Sequence, residues 1–227
     1  MFSYLFFHSS KYIKIILYLI VFKCLTSAHA GSYDQFFIGI KQNDTSTISI
    51  LLNLGFNPNT LSPNSDPPLH LALQLGNFDI VNLLLKTKDL SINALNPHDE
   101  SALMLASLRG NSNIVRKLVF LGSDINKTGW TPLHYASTNG SIDIIEFLLE
   151  NHAFIDSQSP NGTTPLMMAA KYGNDLAVEK LLIAGADPTI LNEQFLTAAD
   201  FAISANKTQS ANLIAKFLRS SKGSGNW

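Results

Sequence analysis

Histidine is the side chain in this sequence that could most readily do chemistry at neutral pH, because imidazole binds metals and moves protons. The chain has six histidines, and two of them, His8 and His29, fall within the first thirty residues. His98 and His152 have no second ligand one helical turn away, so no zinc-type spacing is present. The sequence therefore predicts neither a metal site nor a cofactor.

One short motif suggests a nucleophile. Ser204 and Lys207 stand three residues apart, which is the spacing of a serine–lysine pair, although a match of four residues is a weak signal. There is no phosphate-binding loop and no Gly-x-Ser-x-Gly elbow, and Cys24 is the only thiol. The sequence favours a protein that is not an enzyme. The alternative is a secreted effector or toxin-like enzyme with a cryptic site in its scaffold.

The dominant feature of the sequence is a pattern that returns about every 33 residues. Its best copy is Thr-Pro-Leu-His-Tyr-Ala at 131–136, followed by Gly140. Other copies end in alanine at positions 72, 106, 169 and 202, so the steps between equivalent alanines are 34, 30, 33 and 33 residues. A fixed period of this size predicts a solenoid of stacked repeats.

Each repeat contains signals for two helices. Proline starts the first helix at Pro68, Pro132 and Pro165, where its fixed φ costs no hydrogen bond. A glycine such as Gly76 ends that helix in the left-handed region, and an apolar second helix follows. The second helices are predicted to end at residues that accept a positive φ, which are Gly55, Gly122, Asn151 and Gly185.

Polar turn-forming stretches connect the repeats. Four of them, at 57–66, 93–100, 156–163 and 189–196, have the same spacing to the next helix start. The connection at 126–131 is three residues shorter, which accounts for the 30-residue step. Trp130 stands on this shortened connection.

With this period and signature the chain resembles the ankyrin-repeat family, from about Phe36 to Leu218. The resemblance implies an all-α repeat solenoid of about six helix-turn-helix units with projecting β-turn fingers. The units are expected at 33–64, 65–98, 99–128, 129–161, 162–192 and 193–219 within a domain of residues 31–219. The last unit carries polar residues suited to a cap, and 220–227 is expected to be a disordered tail.

The resemblance also implies a function and a binding surface. Ankyrin-repeat domains are generally protein-binding scaffolds that use finger tips and the exposed side of the first helices. The matching contact positions in this chain are Gln74, His98, Glu100, Leu108, Arg109, Trp130, Asn139, Lys171 and Tyr172. Trp130, Arg109 and Tyr172 are the preferred anchors, because these residue types often dominate binding energy. The alternative for Trp130 is packing over its own short finger.

The same resemblance assigns a structural role to two histidines. His70 and His134 fall inside the repeat motif, at the position where the imidazole of ankyrin-like proteins joins the backbones of neighbouring repeats. This role is favoured over metal binding.

The first thirty residues have the composition of an export signal. Lys11 and Lys14 precede the apolar run 15–22, and Ala28 and Ala30 occupy the positions that signal peptidase reads. Cleavage after Ala30 would release a periplasmic or secreted protein. The alternative is a retained segment that anchors the protein to the membrane, although three lysines interrupt the apolar stretch.

Charge restricts the class of partner. Three of the 16 basic residues lie in the first thirty positions, so the remainder carries 13 basic and 17 acidic residues and a formal net charge of −4. A nucleic-acid-binding protein normally concentrates basic charge, so this balance argues against one. The sequence predicts a monomer that binds a protein partner, with membrane contact only if residues 1–30 are retained.

Overall fold

The computed structural model describes residues 31–224 and confirms the predicted all-α solenoid. Residues 1–30, with the predicted export signal, lie outside the described residues. Twelve helices occupy the described range, and the first of them, α1, runs over 31–42. The others are α2 Thr45–Asn53, α3 Pro68–Leu75, α4 Phe78–Leu84, α5 Ala102–Leu108, α6 Ser112–Phe120, α7 Pro132–Asn139, α8 Ile142–Glu150, α9 Pro165–Lys171, α10 Asp175–Ile183, α11 Ala198–Ser204 and α12 Thr208–Ser224.

Consecutive helices form six pairs that stack into two layers. The first helices α3, α5, α7, α9 and α11 lie side by side, and the second helices α6, α8, α10 and α12 form the other layer. The alanines that mark the sequence period are fully buried between repeats, for example Ala72, Ala136 and Ala202. A methyl group at this position lets neighbouring first helices approach closely. None of the helices in the described range is long and apolar enough to cross a membrane.

The helix boundaries follow the predicted signals, with one correction. Pro68, Pro132 and Pro165 are the first residues of α3, α7 and α9. Asn151 was expected to take the positive φ after α8, but its φ is −98° and the next residue, His152, takes the left-handed conformation at 66°. The left-handed residue thus stands two positions after the end of α8, as it does after α2, α6 and α10, and Asn151 is the C-cap with a ψ of 29°.

Four long fingers and one short finger connect the pairs. Each long finger closes with the same backbone hydrogen bond across its tip, as in Asn96 N–H to the Glu100 carbonyl at 3.0 Å and Ser159 N–H to the Thr163 carbonyl at 2.9 Å. The equivalent bonds close the fingers at 62–66 and 192–196. The connection before α7 is the short one, as the sequence predicts.

Asparagine side chains join the bases of successive fingers. Asn59 donates from Nδ2 to the carbonyl of Asp89 at 2.6 Å and accepts the N–H of Ser91 at 2.8 Å. Asn93 and Asn126 make the same two bonds to the repeat that follows each of them. Each amide thus satisfies one donor and one acceptor of the next repeat, which fixes the spacing between the two.

The fourth position of this asparagine ladder is an aspartate. The carboxylate of Asp156 accepts the N–H of Asp187 at 3.1 Å, but a carboxylate has no N–H to donate to a carbonyl. Burial raises the pKa of Asp156, and the negative charge of Asp187 raises it further. Ionised Asp156 is therefore a weaker connector than the three asparagines.

We expect Asp156→Asn to stabilise the fold by about 1 kcal/mol at neutral pH, since it adds a hydrogen bond and removes a partly buried charge. The gain should shrink on acidification. Folded Asp156 holds its proton more tightly than unfolded Asp156, so the wild type loses stability as the pH rises and regains it as the pH falls. Urea unfolding of both proteins at neutral and acidic pH measures the difference.

Asn126→Asp is the matched control, because it places a carboxylate at another ladder position that now holds an amide, as Asp156 does at the fourth. It should lose a similar free energy at neutral pH. The role given to the amide donors would be contradicted if wild type and Asp156→Asn had the same free energy of unfolding, whether or not Asn126→Asp is less stable.

The C-terminal helix is longer than the sequence suggests. α12 continues to Ser224 and so enters the segment 220–227 for which disorder is expected. Residues 225–227 lie outside the described range.

Candidate protein-binding surface

The nine predicted contact residues lie on two kinds of element. His98, Glu100 and Trp130 are on fingers, and the others are at the C-terminal ends of α3, α5, α7 and α9. They therefore lie on the fingers and the first helices. Their individual surroundings differ, and their binding role stays a prediction.

Arg109 is already bonded inside the chain. Its Nε donates to the Leu73 carbonyl at 3.1 Å, and its Nη2 donates to the Gln74 carbonyl, both one repeat earlier. These carbonyls end α3, where a cation is favourable because the helix dipole is negative. Arg109 therefore joins two repeats, and a substitution there would change stability as well as any binding.

Asn139 makes a similar connection one repeat further on. Its Nδ2 donates to the carbonyl of Leu108 at 2.7 Å, while the Leu108 side chain is 39% exposed. The amide of Asn139 and the guanidinium of Arg109 thus serve first as links between repeats. Leu108 is open to a partner at its side chain.

Trp130 is half-buried and packs over the short finger. Its ring lies edge-on to His134, with ring centroids 5.1 Å apart and an interplanar angle of 73°. This arrangement is the packing alternative that the sequence left open for Trp130. Part of the indole still faces solvent.

Glu100 organises a polar cluster beside α7. Its carboxylate accepts the hydroxyl of Tyr135 and the Nδ2 of Asn96, each at 2.8 Å. Burial and the bond to Glu100 raise the pKa of Tyr135, so the phenol stays a neutral donor. His98 is exposed at the tip of the same finger. The cluster holds Glu100 in place, with His98 free to contact a partner.

An aromatic area is open at the C-terminal half of the stack. Tyr172 is 53% exposed, and the ammonium of Lys171 lies 5.2 Å from its ring centroid and 5.6 Å from that of Phe201. A cation placed between two rings holds their orientation at an exposed site. Tyr172 is thus both accessible and ordered, as an anchor needs to be.

Sequence reasoning missed Phe195, which lies at the tip of the last finger. Its side chain is 80% exposed and its φ is 59°, in the left-handed region. The same tip position is Ser65, Asp99 or Gly162 in the other long fingers, with φ between 60° and 75°. A bulky residue there is strained, and such strain commonly accompanies function. Aligning the fingers would have revealed the exception.

The serine–lysine pair does not form a catalytic arrangement. Ser204 Oγ donates to the Phe201 carbonyl at 2.8 Å, and Lys207 Nζ donates to the Gly173 carbonyl one repeat earlier. Lys207 is therefore another link between repeats. Within residues 31–224 no group of three or more histidine, cysteine or acidic side chains could hold a metal.

The two motif histidines join neighbouring repeats. His134 Nε2 lies 2.9 Å from the Thr163 carbonyl, and its Nδ1 accepts the N–H of Thr131 at 3.2 Å, so Nε2 carries the proton. Burial lowers the pKa of His134 to about 4, which keeps the ring neutral. His70 makes the equivalent bond to the Glu100 carbonyl at 3.0 Å. Both rings have the structural role that the sequence favoured.

Comparison with known proteins agrees with this architecture. A family model described as ankyrin repeats in three copies matches residues 36–128 and again 103–192. The chain is 35% identical to the nuclear factor NF-kappa-B p105 subunit of Gallus gallus over 149 residues, which are 63% of this chain and 15% of that protein. It is 37% identical to the putative ankyrin repeat protein FPV031 of fowlpox virus over 125 residues, which are 52% of this chain and 36% of that protein. The chain thus spans only a minor part of these relatives.

Solved structures share the fold over most of the chain. The human ASB11 ankyrin repeat domain superposes with a TM-score of 0.70 at 25% identity and covers 79% of this chain and 81% of its own. A chain in the structure of the Bd0816 predatory endopeptidase from Bdellovibrio bacteriovorus in complex with immunity protein Bd3460 gives a TM-score of 0.69 at 25% identity. That match covers 80% of this chain and 97% of the other.

Proposed function

The chain belongs to the ankyrin-repeat family, and on this premise we propose that it is a non-enzymatic scaffold which is exported and binds one protein partner through its first-helix and finger surface. The observation that carries the proposal is the exposure of ordered aromatic side chains, Tyr172 and Phe195, on that side of a rigid stack. Large aromatic rings contribute much contact area at a low entropic cost.

We place the energetic centre of this surface in its C-terminal half. Tyr172 and Phe195 are more exposed than Trp130, which packs on His134. Leu191 and Ile203 add exposed apolar side chains at 51% and 64% in the same part of the stack. Arg109, bonded to two carbonyls, contributes mainly to the stacking of repeats. Trp130 and His98 then belong to the rim of the contact.

The first class of partner to test is an exported hydrolase. One structural neighbour is a chain of a complex between a predatory endopeptidase and an immunity protein, at 25% identity to this chain. Residues 1–30 have the composition of an export signal, which would bring the scaffold and such an enzyme into the same compartment.

Mass spectrometry of the protein from its host should find an N-terminus at Gly31. A retained Met1 would contradict cleavage.

Phe195→Asn separates binding from stability, because the two should change in opposite directions. Asparagine tolerates the left-handed conformation, so the variant should unfold at a higher temperature, with a gain of about 1 kcal/mol. Loss of a central aromatic anchor should weaken partner binding by about thirtyfold or more. The partner is first recovered from the native compartment with wild-type protein, and its affinity for each variant is then measured by calorimetry.

Ile183→Asn is the control, since Ile183 is 72% exposed on the second-helix layer, away from the proposed surface. It should leave the affinity unchanged. Undiminished affinity of Phe195→Asn, together with its raised melting temperature, would show that the strained tip is not the anchor and that the partner binds elsewhere.

A further inference from the structure

The two ends of the stack differ in polarity. The exposed side chains of α12 up to residue 220 are all polar, and they are Thr208, Gln209, Asn212, Lys216, Arg219 and Ser220. At the other end, Ile38, Ile50 and Leu54 are 51%, 59% and 79% exposed. Terminal repeats of a solenoid need a polar outer face to stay in solution alone. The N-terminal end instead exposes these three apolar side chains beside polar ones such as Asp34 and Lys41.

In other repeats, the residue equivalent to Ile50 contacts the preceding repeat. Its equivalent in α6 is Lys117, whose Nζ donates to Asn82 Oδ1 in α4 at 2.6 Å. Its equivalent in α10 is Lys180, which pairs with Glu146 in α8 at 2.5 Å. Ile50 therefore points to where a preceding repeat would stack. Leu54 lies four residues on, so it shares that side of the helix end.

Ile38 faces the same way. Its equivalent in α7 is Tyr135, whose hydroxyl bonds Glu100 of the preceding repeat at 2.8 Å. Its equivalent in α11 is Phe201, whose ring lies 5.6 Å from the ammonium of Lys171 in the preceding repeat. The three apolar side chains thus form one open end face, made of Ile38, Ile50 and Leu54. This face continues the repeat-to-repeat interface that runs through the molecule.

Charged residues on α1 are placed so that the end face complements itself. Asp34, Ile38 and Lys41 are spaced four and three residues apart, so they share one stripe of the helix, and all three are exposed. Neither Asp34 nor Lys41 takes part in an ion pair within the described residues. If two α1 helices pack antiparallel about a point near Ile38, Asp34 of each copy lies opposite Lys41 of the other.

We propose that the occupant of the end face is a second copy of this chain, related by a two-fold axis that passes between the two α1 helices. In such an isologous contact the same patch of both copies is in contact, so the two apolar faces pack together and the Asp34–Lys41 pair forms twice. The contact buries the apolar side chains that a monomer would expose, and both ion pairs form at its edge. The protein is then a dimer, in contrast to the monomer expected from the sequence, and the proposed partner surface stays free on each copy.

Sedimentation velocity over a range of concentrations tests the dimer, with the full-length chain and with a chain that starts at Gly31. Every described helix lies at or after residue 31, so the shortened chain retains all of them. Both should sediment as dimers at about 100 µM and dissociate on dilution. The double variant Ile50→Lys/Leu54→Lys should raise the dimer dissociation constant at least about a hundredfold, since it places four ammonium groups in an apolar contact.

A charge exchange tests the two-fold geometry. Asp34→Lys and Lys41→Asp should each weaken the dimer by about tenfold, because like charges then face one another across the axis. The double variant Asp34→Lys/Lys41→Asp should return to within about threefold of the wild type, since the pairs are restored with opposite polarity. Ile183→Lys, which changes an exposed isoleucine far from this face, is the control and should leave the dimer intact.

Four results would overturn the proposal. The first is a monomer at all concentrations in both chains. The second is a dimer that Ile50→Lys/Leu54→Lys leaves unchanged, because the contact then lies elsewhere. The third is a full-length monomer beside a shortened chain that dimerises, because residues 1–30 and not a second copy would then cover the face in the full-length protein. Failure of the double charge exchange to restore association would exclude the antiparallel α1 arrangement and with it the two-fold contact.

Discussion

His134→Leu is expected to lower the free energy of unfolding by about 4 kcal/mol at neutral pH. The ring is fully buried and connects the Thr163 carbonyl of the next repeat with the N–H of Thr131 in its own. Leucine fills most of the same volume, so the loss comes from hydrogen bonds and not from a cavity. The buried Thr131 N–H is left without a partner, and the Thr163 carbonyl keeps only its bond to the Ser159 N–H. Guanidinium unfolding followed by circular dichroism measures the change.

The difference in free energy of unfolding between the wild type and His134→Leu should decrease at acidic pH. The pKa of folded His134 is lowered to about 4 from 6.5, chiefly by burial, so the folded state disfavours the proton that the unfolded state accepts. The contribution of His134 to stability is complete above pH 6.5 and is lost as the pH falls towards 4. The gap between wild type and variant should therefore narrow over that interval.

His70→Leu is the matched control. His70 Nε2 makes the same kind of bond, to the Glu100 carbonyl, but Nδ1 has no partner among the described residues, because Pro67 stands where Thr131 supplies an N–H. The Glu100 carbonyl keeps its bond to the Asn96 N–H, so one hydrogen bond is lost and no backbone group is left without a partner. The cost should therefore be at most about half that of His134→Leu. Equal losses in the two variants, or a gap that does not narrow in acid, would contradict the bonding described for His134.

Gly173→Ala is the second substitution with a large expected effect, at about 3 kcal/mol of lost stability. A Cβ at Gly173 would lie 2.4 Å from the carbonyl oxygen of Ser137 in the preceding repeat and 2.9 Å from that of Ala169. Both atoms belong to the backbone of packed helices, so no flexible side chain can move aside. Thermal unfolding should show a melting temperature lower by roughly 6 to 12 °C.

Gly76→Ala separates this steric effect from backbone strain. Gly76 occupies the same motif position, but its φ is +75° and nothing lies within 4 Å of its Cβ, whereas Gly173 is not in the left-handed region. Alanine at Gly76 should cost only about 1 kcal/mol, from strain alone. A Gly173→Ala protein no less stable than Gly76→Ala would mean that the two repeats can separate without cost, contrary to the close packing seen between them.

Much of the fold was predictable from sequence, because its signals are local and are repeated. The prolines at 68, 132 and 165 begin helices, and the three-residue deletion before Pro132 shortens one finger. Glycines follow the ends of α3, α5, α7 and α9 at 76, 110, 140 and 173. The shift from Asn151 to His152 follows from the register of the repeats and not from residue type, which favours asparagine at a positive φ. α8 has nine residues, as α2, α6 and α10 have, and the left-handed residue follows each of these helices at the same distance.

For the candidate surface, the sequence predicted which elements carry the residues but not how each side chain is bonded. The nine residues carried over from the family pattern do lie on the first-helix and finger side, but the pattern does not say which of them are bonded within the chain. Arg109 and Asn139 reach carbonyls of the preceding repeat, and Trp130 packs on His134. Phe195 was overlooked, because the left-handed backbone at the finger tip is not visible in an isolated stretch of sequence.

The sequence by itself determined the repeat, its period and the two helices of each unit, since all of these depend on residues within one repeat. The tertiary structure decided which side chains form hydrogen bonds between repeats and which stay exposed and available to a partner. That division depends on contacts between residues far apart in the sequence, such as Arg109 with Leu73, 36 positions away, and His134 with Thr163, 29 positions away. Only stacking brings such residues together, so exposure at the surface and at the N-terminal end face is a property of the assembled solenoid.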